Sequence, residues 1–217
     1  MGKYLKNVLG ANFEKEVKNA LYETELKESK IIKMVVELVR PQRNKGSVES
    51  VITFNFDSIL EDTLTTNCIK NKAIYEESMQ YEANEIPIYH VHGYLPREEV
   101  IDNPNLVFSE DAYHTQYIDP YSWSNLIQLF KFSNNVCLFI GLSMTDPNLR
   151  RLLDIDRRKS INNNLKHYIK KKMPPNHTSI DKIELILEEQ DANLLGLNVI
   201  WVSEYKDIPS ILKRLIE

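Results

Sequence analysis

Short apolar runs alternate with amphipathic segments along the sequence after residue 50, and this order constrains the fold more than any other feature. The runs are rich in β-branched and aromatic residues, and they occupy residues 51–54, 86–91 and 136–140, with a shorter candidate at 106–108. Segments with helical spacing separate or follow them. Strands that alternate with helices pair in parallel and are covered by those helices. The sequence therefore predicts an α/β fold, with a parallel sheet flanked by helices.

The first forty residues carry a helical pattern instead. Apolar residues recur there at spacings of three and four, at Phe13, Val17, Ala20, Leu21, Ile31, Ile32, Val35, Val36 and Val39. Pro41 is expected to stop the last of these helices. We therefore predict an N-terminal helical region over residues 1–45 and an α/β domain over residues 46–217.

The composition fits one globular domain. The chain has 217 residues, of which 42% are hydrophobic and 27% charged, enough for a substantial core. No run of about eighteen apolar residues marks a membrane helix, and no apolar secretory stretch follows Met1, so we expect a cytoplasmic protein. The two cysteines, Cys68 and Cys137, suit reduced thiols and exclude a four-cysteine zinc site, so no zinc is expected.

Positive charge is clustered although the net charge is −4. That net charge gives the molecule no general attraction for nucleic acid. Residues 150–172, however, contain nine Arg or Lys residues against Asp154 and Asp156. A solvated basic face is the simpler interpretation, and contact with the phosphates of a nucleotide or a nucleic acid is the alternative.

Polar strings stand where three predicted strands stop, at residues 53–57, 92–93 and 141–143. In an open α/β sheet the ligand crevice lies at the carboxyl ends of the strands. His92 is the central candidate because imidazole readily accepts a proton near neutral pH, and the glycine after it allows a close approach. The alternative is a core histidine bonded to the backbone. His90 points to the same face if both residues lie within the strand.

Asn55 and Asp57 share one face if the strand continues through them. The amide of Asn55 offers a donor and an acceptor, which fits a ribose hydroxyl or a water, whereas ionised Asp57 only accepts. Capping of the following helix is an equally good interpretation of Asp57.

Gly141 and Ser143 precede a strong helix start, with Asp146 as the expected N-cap and Pro147 as the first helical residue. Free backbone N–H groups and the helix dipole favour phosphate at such a turn. Many strand-to-helix turns nevertheless carry glycine and serine for geometry alone.

In their order and spacing these strings resemble the NAD pocket of the sirtuin-like family, specifically its bacterial branch of NAD hydrolases linked to anti-phage defence. The family's Thr-x-Asn-x-Asp segment, His-Gly pair and Gly-x-Ser turn match Thr53, Asn55 and Asp57, then His92 and Gly93, then Gly141 and Ser143. The resemblance spans most of residues 50–216 and implies a Rossmann-like fold.

The resemblance implies hydrolysis of NAD to ADP-ribose and nicotinamide through an oxocarbenium-like state. Asn55 would orient the ribose or the attacking water, and Asp57 would contact the nicotinamide carboxamide. His92 would act on the ribose hydroxyls or activate water. Thr53 and Gly93 would line the same pocket, and the Gly-x-Ser turn would meet the phosphates or the second ribose.

The family's Gly-rich first strand and phosphate loop should precede the helical region, and nothing before residue 50 matches it. We therefore expect NAD hydrolysis if such a loop is supplied, and otherwise weak binding. The alternatives are a weak or inactive module that senses NAD or ADP-ribose or mediates assembly, and a nucleic-acid-associated protein that uses residues 150–172. The resemblance also implies a homo-oligomer or partner defence domains, while the missing zinc module disfavours protein deacetylation.

Overall fold

The computed structural model describes residues 2–24, 29–40, 48–102, 104–108, 114, 117–159, 167–174 and 178–215. Pro41 and the predicted boundary between residues 45 and 46 lie outside these ranges. The chain divides into two compact units, Met1–Ser124 with Leu212–Glu217, and Asn125–Ile211. Each unit contains a parallel sheet of its own.

Helices form the N-terminal part of the first unit, as the apolar spacing predicts. They are α1 (Gly2–Leu9), α2 (Phe13–Tyr22) and α3 (Lys30–Val39), with a 3₁₀ turn at Gly10–Asn12. The hydroxyl of Ser29 accepts a hydrogen bond from the amide of Ile32 and caps α3. The apolar face of α3 joins a buried cluster made by Val36, Val39, Leu64, Ile69 and Ile88. Each fully buried aliphatic side chain of this kind stabilises the fold by about 1.5–3 kcal/mol.

The first sheet contains β1 (Val51–Thr53), β2 (Asn71–Ile74) and β3 (Ile86–His90) in the order β1-β3-β2. Both pairings are parallel, and the register places Thr53 beside His90 and Ile74 beside Tyr89. Helix α4 (Ile59–Thr66) follows β1. The polar ends of β1 and β3 consequently lie at the same edge of this sheet.

Two strand assignments differ from the sequence prediction. Residues 71–74 form β2, which was not predicted because Asn71, Lys72 and Ala73 are poor strand formers and Ile74 is the buried member. Residues 106–108, predicted as a strand, form none. That segment instead contacts the loop after β3, where the amide of Val107 donates to the carbonyl of His92 at 2.8 Å.

Helix α4 ends in a left-handed residue that is not glycine. Cys68 has a φ of 58°. The amides of Cys68 and Ile69 donate at 3.0 Å to the carbonyls of Thr65 and Leu64, which is the Schellman arrangement. A left-handed backbone costs a residue with a Cβ about 1–2 kcal/mol.

Replacement of Cys68 by glycine is therefore expected to raise the free energy of unfolding by about 0.5–1 kcal/mol, because the greater freedom of glycine in the unfolded chain offsets part of the relief. Urea denaturation measures the change. Cys68→Ala removes the thiol but keeps the Cβ, so it should leave stability near that of the parent chain. Equal stabilisation by alanine and glycine would contradict the argument from backbone strain.

The second sheet contains β4 (Leu138–Phe139), β5 (His167–Lys172) and β6 (Leu197–Val202) in that order, again with parallel pairing. The α-helices described after residue 122 are α5 (Trp123–Asn134), α6 (Pro147–Lys159), α7 (Ser179–Leu194) and α8 (Ile208–Lys213), with a 3₁₀ turn at Tyr205–Asp207. Parallel strands in both units, with helices between β1 and β2, between β4 and β5 and between β5 and β6, confirm the predicted α/β fold class. Among the described residues, no helix combines the length and the apolar character that a membrane span requires.

Candidate functional site

The loops that follow β1 and β3 lie side by side in the first unit. Two backbone hydrogen bonds join them, from the amide of Val91 to the carbonyl of Thr53 at 3.2 Å and from the amide of Leu95 to the carbonyl of Phe56 at 2.7 Å. Asn55 lies between the two anchor points of one loop, and His92 lies between those of the other. The structure therefore brings the segments that carry Asn55 and His92 together at the carboxyl end of the first sheet.

Strand β1 ends at Thr53, so Asn55 and Asp57 lie in a loop and do not alternate along a strand. Asn55 is exposed, and its backbone N–H donates to Oγ1 of Thr53 at 3.1 Å. Asp57 is half-buried, and its Oδ1 accepts from the amide of Ile59 at 3.1 Å, at the start of α4. Asp57 thus bonds the first amide of α4, although the N-cap position itself is held by Ser58, and contact between this carboxylate and a ligand stays a prediction.

His92 lies beyond the end of β3 and is half-buried. Its ring packs edge-on against Phe54, with ring centroids 4.7 Å apart and planes at 88°. The core-histidine description fits His90 better, because that residue is only 1% exposed. The spacing of the two histidines predicts equivalent positions along one strand. In the structure His90 is the buried last residue of β3, whereas His92 is half-buried in the loop that follows.

His90 links the Asn55 loop to α4, a contact that the sequence analysis missed. Its Nδ1 lies 3.1 Å from the backbone oxygen of Asn55, and its Nε2 lies 2.5 Å from Oε1 of Glu61. A carbonyl oxygen only accepts, so Nδ1 carries a proton and donates it. The ring of Tyr94 lies against the imidazole with centroids 4.2 Å apart. A glutamate in the first turn of a helix is ordinary, so no signal in the sequence distinguishes Glu61.

Tyr94 is buried beside His90 and Glu61, and its properties reflect the low exposure of this pair. Burial and then the nearby charge of Glu61 raise the pKa of the Tyr94 phenol above its usual value. Tyr94 also stacks on Tyr75, with centroids 5.4 Å apart. His90 is thus held between the side chain of Glu61 and the ring of Tyr94, away from solvent.

The backbone around position 93 leaves room only for glycine. Its φ is 105°, and a Cβ at this position would lie 2.4 Å from the carbonyl oxygen of Pro104 and 2.7 Å from that of Asn105. The amide of Tyr94 donates to the same Pro104 carbonyl at 3.1 Å. Residues 104–105 therefore make the close approach expected beside His92, and contact between Gly93 and a ligand stays a prediction.

Gly141 and Ser143 lie in the second unit, in the turn between β4 and α6. Gly141 is exposed with a φ of 75°, and Oγ of Ser143 lies 2.7 Å from Oγ1 of Thr145. Oδ1 of Asp146 accepts from the amides two and three residues ahead, at 2.7 and 3.1 Å, which confirms the predicted cap of α6. These amides are already bonded to a carboxylate, which weakens the case for a phosphate there. The ligand roles of Gly141 and Ser143 stay predictions.

Much of the positive charge in residues 150–172 is paired within the second unit. Arg150 makes two hydrogen bonds to Asp191, both at 2.7 Å, which raise the pKa of the guanidinium and lower that of the carboxylate. Further ion pairs join Arg158 to Asp154, Lys171 to Glu188 and Lys172 to Glu204. Lys166 lies outside the described residues. This pairing favours the solvated face over a phosphate-binding surface.

Cys137 does not supply a reactive thiolate at neutral pH. Both cysteines of the chain carry free thiols. Burial raises the pKa of Cys137 to about 12, so this thiol stays protonated at neutral pH. Within the described ranges, no group of three or more His, Cys, Asp or Glu side chains is arranged to hold a metal ion.

Comparison with known proteins agrees with the motifs. A family model described as a SIR2-like domain matches residues 49–194, a region that contains every residue predicted for the NAD pocket. The chain is also 23% identical over 185 residues to the NAD(+) hydrolase ThsA of Enterococcus faecium, a match that covers 77% of this chain and 37% of ThsA. The chain thus spans little more than a third of that relative's length. Since the matched family region makes up more than half of the sequence, the protein belongs to the SIR2-like domain family.

Proposed function

We propose that this domain hydrolyses NAD to ADP-ribose and nicotinamide, as part of bacterial anti-phage defence. The side-by-side placement of the Asn55 and His92 loops, inside the region matched by the SIR2-like family model, is the observation that carries the proposal. Similarity to a protein named as an NAD(+) hydrolase supports NAD as the molecule bound.

Hydrolysis breaks the bond between the ribose C1′ carbon and the nicotinamide nitrogen and forms a bond between that carbon and the oxygen of water. Nicotinamide leaves with the bonding electron pair, and positive charge develops on the sugar. Such a state depends on preorganised dipoles more than on a strong nucleophile. The side-chain oxygen of Asn55 is suited to accept a hydrogen bond from a ribose hydroxyl or the attacking water. His92 is suited to take the proton that the water loses.

The remaining candidate residues are assigned to substrate binding. Asp57 uses one carboxylate oxygen to bond the first amide of α4, and the other is proposed to accept from the nicotinamide carboxamide. Thr53 and Gly93 are proposed to line the same pocket. Gly141 and Ser143 are proposed to contact the phosphates or the second ribose.

Binding without turnover is the alternative, as a module that senses NAD or ADP-ribose or mediates assembly. The Asp146 carboxylate at the start of α6 favours the assembly role, because a negative charge there opposes the pyrophosphate that NAD and ADP-ribose both carry. A cytoplasmic location and self-association, or association with partner defence domains, belong to the same proposal. The ion pairs of residues 150–172 disfavour a nucleic-acid-associated role.

The test measures nicotinamide release by chromatography. The protein is incubated with roughly 1 mM NAD, a concentration at the upper end of ordinary KM values. Asn55→Ala is expected to lower the rate about 100-fold or more, as does loss of one preorganised polar group in other enzymes. Asn84→Ala is the matched control, since Asn84 is exposed in the turn before β3, away from the loops. Equal rates in the parent and both variants would remove Asn55 from the mechanism. ADP-ribose binding without nicotinamide release would favour the sensing module.

A further inference from the structure

We propose that His90 and Glu61 are positioning residues, which hold the backbone of Asn55 so that its side chain is presented to the substrate. The inference rests on the proposed function and extends it, since neither residue belongs to the motifs that identify the NAD pocket. Both lie in the first unit, and neither is assigned contact with NAD.

The need for such a support follows from where β1 ends. After Thr53 the sheet no longer holds the chain, yet Asn55 must keep one orientation if its amide is to act on a sugar. Both backbone groups of Asn55 are bonded to side chains instead. Its N–H donates to Oγ1 of Thr53 at 3.1 Å, and its carbonyl accepts from Nδ1 of His90 at 3.1 Å.

The imidazole is in turn held by α4. Nε2 of His90 lies 2.5 Å from Oε1 of Glu61, and the glutamate side chain is only 9% exposed. The second carboxylate oxygen, Oε2, is buried and has no hydrogen-bond partner among the described residues. Burial of an incompletely satisfied carboxylate is costly, so a role beyond packing is needed to account for it.

The arrangement resembles a catalytic histidine that is oriented by a carboxylate. Here, however, the oriented ring of His90 donates a hydrogen bond to the backbone carbonyl of Asn55. Helix α4 thereby fixes the orientation of the His90 ring, and that ring fixes the backbone of Asn55, whose side-chain amide is the candidate catalytic group. Partners of this indirect kind typically change activity by about 10- to 100-fold when they are removed.

Two substitutions at position 90 separate the two hydrogen bonds. The amide nitrogen of asparagine reaches about as far as Nδ1, so His90→Asn keeps the donor to the Asn55 carbonyl. The side-chain amide of glutamine reaches about as far as Nε2. His90→Gln therefore keeps the contact with Glu61 and loses the hydrogen bond to the Asn55 carbonyl. We expect His90→Gln to lower kcat for nicotinamide release about 10- to 100-fold with little change in KM, and His90→Asn to recover most of that loss.

Backbone amide exchange of residues 53–57 is measured on the same variants, because it does not depend on turnover. Faster exchange in His90→Gln than in His90→Asn is expected, with α4 protected equally in both. A purely structural role predicts that the two variants lose kcat and amide protection to the same extent, and that result would overturn the proposal.

If the parent chain releases no nicotinamide, the proposed function fails, and the exchange comparison alone decides whether His90 positions Asn55. If the variants at position 90 do not fold, Glu61→Gln replaces them. It keeps a hydrogen-bonding partner for Nε2, so amide protection of residues 53–57 should stay near that of the parent chain. Loss of that protection in a folded Glu61→Ala protein is expected, and retention of it would overturn the proposal.

Discussion

Replacement of His92 by alanine is expected to lower kcat for nicotinamide release by about 100- to 10,000-fold, the range found when a positioned general base is lost. The imidazole is half-buried in the loop that lies beside the Asn55 loop, and its proposed role is to accept a proton from the attacking water or a ribose hydroxyl. The loss should fall on kcat more than on KM, because the proposed role lies in proton transfer and not in NAD affinity. Initial rates over a range of NAD concentrations separate the two.

His92→Phe is the matched control for this experiment. A phenyl ring can keep the edge-on contact with Phe54, whose centroid lies 4.7 Å from that of the imidazole, while it removes both nitrogens. Both variants should therefore lose activity while they keep a folded circular dichroism spectrum. A phenylalanine variant as active as the parent chain would mean that His92 contributes packing alone.

Replacement of Gly93 by alanine is expected to cause the largest loss of stability. The backbone strain at a φ of 105° costs about 1–3 kcal/mol for a residue with a Cβ. The added carbon would also lie 2.4 Å from the carbonyl oxygen of Pro104, a backbone atom that cannot simply rotate away. Forced overpacking of this kind adds about 1–3 kcal/mol. A marked fall in the urea midpoint is expected, together with loss of any activity that depends on the adjacent His92.

Gly141→Ala isolates the contribution of the clash. Gly141 also has a positive φ, 75°, but a Cβ there would meet nothing within 4 Å. The expected net destabilisation is about 0.5–1 kcal/mol, because the lower freedom of alanine in the unfolded chain offsets part of the cost of the left-handed backbone. Equal effects of the two alanine substitutions would show that residues 104–105 do not hold Gly93 as tightly as the structure indicates.

The strands with branched and aromatic residues were predictable, because burial in a parallel sheet leaves a local composition signal. Thr53 and His90 stand near the ends of such runs and become register partners in β1 and β3. The cap of α6 was equally legible, since an Asp-Pro pair specifies a helix start through local bonds. The neighbourhood of Asn55 and His92 followed from the general rule for strand ends, whereas their chemical roles stay predictions.

Features that depend on distant partners could not be read in this way. Strand β2 exists because it pairs with β3, although Asn71, Lys72 and Ala73 have little intrinsic preference for a strand. Glu61 and His90 form a buried pair across 29 residues, and neither position carries a local signature. The turn at Gly93 depends on Pro104 and Asn105, whose carbonyl groups any residue could have supplied.

The order of the first sheet has a consequence for synthesis on the ribosome. The strand that is translated last, β3, lies between the two translated earlier, and it is β3 that joins them into one sheet. A nascent chain that has emerged only as far as β2 therefore lacks both the sheet and the histidine next to the Asn55 loop. The NAD hydrolysis proposed for this domain would therefore begin only after β3 has been translated, with no separate inhibitor needed before that point.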